Sequence, residues 1–110
     1  MKKNNHLNVG RRTIRIEAKG LEKLAKSIGN EFNEMCNKLI QTKGKIITLG
    51  IGKSGHIAKK VSATLSSTGS PSNFINAAEA LHGDIGGIHK SDKVLIFSHS
   101  GQSKEIIDLL

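Results

Sequence analysis

Two short polar stretches carry the side chains best suited to chemistry. The first, Gly50-Ile51-Gly52-Lys53-Ser54-Gly55-His56, sets a lysine and a hydroxyl among three glycines. The second, Ser98-His99-Ser100-Gly101-Gln102-Ser103, places three hydroxyls within six residues. Glycine lets a backbone approach a ligand closely. Where such a stretch opens a helix, free N–H groups and a partial positive charge favour an anion. Lys53 adds a full charge, and each serine hydroxyl can both donate and accept. The shared capability is holding a phosphate or another oxyanion. The plain alternatives are a solvated loop lysine in the first stretch and ordinary serine N-capping in the second.

Two nucleotide readings of the first stretch are weighed against its spacing. A Walker A loop requires glycine where Ile47 stands, inside an apolar run, so that reading is excluded. Gly50, Gly52 and Gly55 do have the G-x-G-x-x-G spacing of a dinucleotide-binding turn. The acidic ribose partner of that turn belongs at the end of the second strand, where Asn76 stands, with Glu79 slightly beyond. A phosphate-bearing small molecule is the third reading.

The elements that must position these stretches follow from hydrophobic period. Residues 1–12 are polar and basic and read as a disordered leader. From about Thr13 to Thr42, Ile14, Leu21, Leu24, Ala25, Ile28, Phe32, Met35, Cys36, Leu39 and Ile40 recur at helical steps, with a split expected at Gly20 and a C-cap at Gly44. Lys45–Leu49 and Lys93–Phe97 are continuous apolar runs typical of buried strands, and Pro71–Asn76 is a shorter candidate. Ser54–Thr68 is predicted as a helix stopped by Gly69, Ala77–Leu81 as one helical turn, and another helix is expected from about Gln102. Strands alternating with helices predict parallel β-α-β units, which set both polar stretches at the carboxyl ends of strands, on one rim.

Composition narrows the function classes. At 110 residues and 36 % hydrophobic, the chain has room for one aliphatic core, with three Phe and no Trp or Tyr. The net charge of +8 is concentrated in residues 1–19, where six basic residues face Glu17 alone. The scarcity of base-stacking aromatics argues against a single-strand RNA surface, and no nucleic-acid partner is expected. No apolar run approaches the ~18 residues of a membrane span, and the N-terminus lacks the apolar centre of a signal peptide. One cysteine, Cys36, excludes an internal disulfide, and the histidines show no metal-ligand spacing. The expectation is a soluble, cytoplasmic chain with no membrane partner.

From Lys43 to Leu110 the chain resembles the sugar isomerase (SIS) domain of arabinose-5-phosphate isomerases. The resemblance is carried by Lys43-Gly44-Lys45, Gly50 through Ile57, Ser66-Ser67-Thr68-Gly69-Ser70-Pro71-Ser72, Ala78-Glu79-Ala80-Leu81-His82-Gly83-Asp84 and Ser98-His99-Ser100-Gly101. It implies an α/β, flavodoxin-like fold and the interconversion of ribulose 5-phosphate and arabinose 5-phosphate, which feeds Kdo synthesis for lipopolysaccharide. It further implies no cofactor, a homo-oligomer (tetrameric in the family) and, often, a C-terminal pair of CBS domains. Moving a carbonyl between neighbouring carbons through an enediol needs an acid/base group and a cation or acid to steady the oxyanion. By resemblance, Lys53 and Glu105 are the catalytic candidates. Gly52, Ser54, Gly55, Gly69, Ser70, His82, Ser98, Ser100, Gly101 and Ser103 are the substrate-binding ones.

The chain departs from the family at three positions. Asn76 stands where a metal-associated histidine is usual, so no metal site is expected. His99 replaces an asparagine and Gln102 a glutamate in the serine loop. The family's remaining active-site glutamate and histidine lie beyond residue 110. The expectation is therefore a SIS domain over residues 13–110 without its C-terminal half or CBS domains, and weak or absent isomerase activity. A non-catalytic sugar-phosphate-binding module, or an assembly partner acting through the leading helix and an open sheet edge, are the other classes carried forward.

Overall fold

A computed structural model describes residues 5–80 and 83–101. The chain divides into two compact units, Met1–Asn37 and Lys38–Leu110. In the first unit, helix α1 spans His6–Ser27, and helix α2 (Asn30–Ile40) begins there.

Helix α1 corrects two expectations. The basic leader is helical from His6, because Asn5 caps it by accepting from the Asn8 N–H at 3.1 Å. Leu7 also extends the stripe of Ile14 and Leu21, while Lys and Arg are good helix formers. The split falls at Gly29 and not at Gly20: Ile28 turns to extended backbone (φ −73°, ψ 139°), and the Phe32 N–H then donates to the Gly29 carbonyl at 3.0 Å. Gly20 faces open space, so the helix runs through it.

The second unit is a three-stranded parallel sheet of β1 (Ile46–Gly50), β2 (Ser72–Asn76) and β3 (Lys93–Ile96), in the order β2-β1-β3. Strand β1 sits in the middle and is buried along its whole length, as its continuous apolar run predicts. Ile46 pairs with Ser72 on one side and Lys93 on the other. Helix α3 (Gly52–Ser67) covers one face. In the short helix α4 (Ala77–Ala80), Ala77 and Ala80 pack with Leu49 against Ile51, Ile75 and Ile96. A 3-10 turn, Asp84–Gly87, leads towards β3.

Polar clasps fix α3 on the sheet. The one fully buried polar side chain of β1, Thr48, donates its hydroxyl to the Ala58 carbonyl of α3 at 2.7 Å. Nearer the amino ends of the strands, the Ser62 and Ser72 hydroxyls lie 2.9 Å apart, and Ser72 donates to the Ile46 carbonyl at 2.6 Å. Ser66 donates to the Ser72 carbonyl at 3.0 Å and accepts from its N–H at 3.2 Å. These serines bind structure together, and in doing so they set where the far end of α3 must lie.

The turn before β3 is tied to the start of β1. Asp92 accepts from the Lys45 N–H at 2.7 Å and the His89 N–H at 2.8 Å. Gly44 serves this junction and not a helix end: α2 finishes at Ile40, the Gly44 N–H donates to the Ser91 carbonyl at 3.0 Å, and a Cβ would come within 2.7 Å of Ser91 backbone atoms. The backbone N–H of His89, with that of Lys45 second, holds the Asp92 carboxyl below the usual carboxylate range. A carboxyl lowered on folding stabilises the fold above its unfolded pKa and loses that contribution as pH falls through the folded value. Asp92→Asn is therefore expected to lower the melting temperature at pH 7. The gap from wild type should narrow below about pH 4, as followed by circular dichroism melts across pH.

Candidate functional site

Both glycine-rich and serine-rich stretches leave the carboxyl ends of strands. Strand β1 runs out at Gly50 into Ile51 and α3, and β3 runs out at Ile96 into Phe97 and Ser98. Because β1 and β3 are hydrogen-bonded neighbours, with Leu49 opposite Ile96, the two exits are side by side. The Phe97 N–H donates to the Leu49 carbonyl at 2.8 Å, which carries the pairing to the point where the serine loop departs. The order β2-β1-β3 also makes β1/β3 the place where the chain reverses direction across the sheet, and open α/β sheets bind ligands in the crevice at such a point.

The first stretch is shaped by its glycines in a way spacing alone does not show. A Cβ on Gly50 would lie 3.0 Å from the backbone of Ser54 and Gly55, and one on Gly55 would lie 3.3 Å from the Gly50 carbonyl. These two residues let helix and strand touch each other. Gly52 takes the left-handed backbone (φ +59°) that turns the chain into α3. Since backbone atoms cannot give way as a side chain can, Gly50→Ala is expected to cost about 1–3 kcal/mol of stability. Urea denaturation of the variant measures this.

Helix α3 begins at Gly52, two residues earlier than its apolar period suggests, so Lys53 and Ser54 lie in its first turn. Ile51 offers no side-chain cap. Helix geometry leaves the N–H groups of Gly52, Lys53 and Ser54 without an intrahelical carbonyl, the first such bond running from the Gly55 N–H to Ile51 at 3.1 Å. The helix carries Lys53, Lys59 and Lys60 and no carboxylate. A lysine at a helix N-terminus opposes the helix dipole, and an anion bound there reverses that cost.

In the second stretch the Ser98 side chain accepts from the Gly101 N–H at 2.9 Å, and Gly101 has φ +69°. This is the capping turn weighed as the plain alternative. It nevertheless leaves the Ser98 hydroxyl hydrogen available as a donor. Ser98 is half-buried, while Ser100 and Gly101 are exposed. The rim thus holds Gly52, Lys53, Ser54 and Gly55 beside Ser98, Ser100 and Gly101.

Gly69 and Ser70 are not on that rim. The Ser70 N–H donates to the Leu65 carbonyl at 2.8 Å and the Gly69 N–H to Ser66 at 3.5 Å, with Gly69 at φ +98°. This is a Schellman closure of α3. The next residue, Pro71, accepts from the Ile46 N–H at 2.9 Å, so the turn lies at the amino end of β1, a full strand from Lys53. Their substrate-binding assignment comes from the resemblance, and their local geometry is that of a helix stop. His82, Ser103 and Glu105, and the helix expected from Gln102, lie outside the described residues.

On the β2 side of α3 is a cavity of about 260 Å³ lined by Gly52, Gly55, His56, Lys59, Phe74 and Asn76. Sequence spacing assigned no role to Lys59 or Phe74. The signal available was the recurrence of Gly52, Gly55, His56 and Lys59 on one helical face. Asn76 accepts from the Ala78 N–H at 2.9 Å and so caps α4. Among the described residues, no group of three His, Cys, Asp or Glu is placed to hold a metal ion, and no helix is long and apolar enough to cross a membrane.

Comparison with known proteins returns the same architecture. The chain is 48 % identical over 100 residues to the arabinose 5-phosphate isomerase GutQ of Salmonella typhi, covering 91 % of this chain and 31 % of that protein. It is 46 % identical over 104 residues to the arabinose 5-phosphate isomerase KdsD of Pseudomonas aeruginosa, covering 94 % and 32 %. The chain therefore spans about a third of the length of these curated relatives. Among solved structures, Escherichia coli CFT073 c3406 in complex with arabinose 5-phosphate superposes with a TM-score of 0.93 at 37 % identity, over 100 % of this chain and 58 % of that one. The SIS domain family model matches residues 38–110, the whole of the sheet-bearing unit, and with it the chain belongs to the SIS domain family.

Proposed function

We propose that the rim between β1 and β3 binds a sugar phosphate and serves aldose–ketose isomerisation of ribulose 5-phosphate and arabinose 5-phosphate. The observation that carries this reading is the pairing of β1 with β3, which sets the cationic start of α3 beside the serine turn. Support also comes from relatives named arabinose 5-phosphate isomerases and from the similar fold solved with arabinose 5-phosphate.

In this reading the phosphate is held by the hydroxyls of Ser98, Ser100 and Ser103 and by the loop N–H groups, with Gly101 supplying the turn. Lys53 lies towards the carbonyl end of the sugar, where its ammonium steadies the enediolate oxygen. Glu105 takes the proton from one carbon and returns it to the neighbouring one, or orients the group that does, while the hydroxyl proton passes between the two oxygens of the enediolate. Gly52, Ser54 and Gly55 form the floor beneath the sugar, and His82 contacts it. Incubating the chain with ribulose 5-phosphate tests the reading at two levels. Calorimetry should register saturable binding, and a coupled assay for arabinose 5-phosphate measures turnover. No heat with ribulose 5-phosphate, arabinose 5-phosphate or inorganic phosphate at millimolar concentration would defeat the proposal.

A further inference from the structure

Along the face of β1 that meets α3, the contacts follow one line. Gly50 lies against the backbone of Ser54 and Gly55, and Thr48 donates to the Ala58 carbonyl. Further down, Ser62 reaches Ser72, the β2 partner of Ile46. The buried residues of α3 are Gly55, Ala58 and Ser62, and all are small. Its larger apolar residues lie off this line, with Ile57 exposed and Val61 and Leu65 half-buried. Helix α3 therefore rests on β1 without a bulky side chain to lock it lengthwise. Apolar contact is non-directional and tolerates sliding, whereas a hydrogen bond holds its two ends within a narrow distance. Thr48 is the polar member of an apolar strand, 0 % exposed, and its hydroxyl lies 2.7 Å from the carbonyl of Ala58, which is equally buried. That carbonyl already has a helical partner four residues on, so it does not need the threonine to satisfy it.

We propose that Thr48 is a positioning residue for the rim. Its hydroxyl sets the lengthwise register of α3 on β1, and so where the first-turn N–H groups of Gly52, Lys53 and Ser54 stand against the serine turn. The consequence for binding rests on the sugar-phosphate reading; the geometry does not. Ala58 and Lys53 are five residues apart in one helix, about 7.5 Å by helical rise. Over so short a length a helix moves as a rod, and a shift at Ala58 reaches the first turn undiminished. The serine turn does not follow that shift, because it leaves β3, which is paired to β1 through Leu49 and Ile96. A change of register therefore moves one half of the rim against the other. Binding sites work within about 0.5 Å of their productive geometry, and a misplacement of ~1 Å can cost a hundredfold.

Two substitutions separate the hydroxyl from the shape of the side chain. Thr48→Val keeps the shape and removes the hydroxyl, whereas Thr48→Ser keeps the hydroxyl and removes a methyl group. Calorimetry with ribulose 5-phosphate and with inorganic phosphate reads the effect on the rim, and amide NMR spectra of the ligand-free chains read the register itself. Thr48→Val is expected to bind about tenfold more weakly while melting close to wild type. Its Gly52, Lys53 and Ser54 amide signals should shift, and that of Phe97, on the sheet, should stay. Thr48→Ser should bind close to wild type. A threonine that only filled space would leave the first-turn amides in place. Unmoved amides, wild-type affinity in Thr48→Val, or Thr48→Ser binding as weakly as Thr48→Val would each overturn the proposal. Shifted amides in Thr48→Val, with neither compound bound by wild type, would overturn the sugar-phosphate reading alone and support the register role.

Discussion

Replacing Lys53 by methionine is expected to weaken sugar-phosphate binding by roughly ten- to a hundredfold, the range for losing a charge-assisted hydrogen bond, here the one from the ammonium to the sugar's carbonyl oxygen. Turnover, where it is measurable, should fall by about a hundredfold or more, because the ammonium matters most when negative charge develops on the sugar oxygen. The same substitution should leave the melting temperature unchanged or slightly raised. Lys53 is exposed in the first turn of a helix that has no acidic residue there, so its charge opposes the helix dipole in the empty protein. Loss of binding together with gain of stability separates a ligand-directed lysine from a solvated one. Calorimetry with ribulose 5-phosphate and a thermal melt of the same preparation measure both. Equal affinity in the two proteins would remove Lys53 from the site.

Replacing Ser98 and Ser100 together by alanine is the second large effect expected. Binding should be lost at millimolar sugar phosphate, because two hydroxyl donors to the anion disappear from one turn. Stability should fall as well, by about 1 kcal/mol, since the Ser98 oxygen no longer accepts from the Gly101 N–H. The two consequences can be separated. Ser98→Asp keeps an acceptor for that N–H, and so the turn, but places a carboxylate where the phosphate would lie. It should therefore bind no better than the double alanine variant while melting close to wild type. An Asp variant that binds normally would reduce the loop to a capping turn.

The particular residues show why some of this architecture was legible in sequence and some was not. Strand β1 was legible because Ile46, Ile47 and Leu49 form a continuous apolar run, which only a strand buried on both faces requires, and the run is buried throughout. The glycine at Gly69 announced the end of α3 because its left-handed backbone is one that other residues resist. Local spacing makes Gly44 look like a helix cap because its reason for being glycine lies 47 and 48 residues away, in the approach of Ser91 and Asp92. Likewise the basic leader resembled a disordered tail, since charge density is visible locally whereas a stripe beginning at Leu7 needs the whole helix to be counted.

The candidate site divides along the same line. Residue type and local spacing, which depend on chain neighbours only, determined that Gly50–Gly55 and Ser98–Gly101 could each hold an anion, and the family resemblance followed from those same residues. The pairing of β1 with β3 was decided in three dimensions, by hydrogen bonds between segments more than forty residues apart. That pairing sets the exit of β1 into α3 next to the exit of β3 into the serine loop, while Gly69 and Ser70 lie at the amino end of β1. A residue's chemistry is written in its side chain, but its company is set by which strands share a ladder, and that is a property of the assembled sheet.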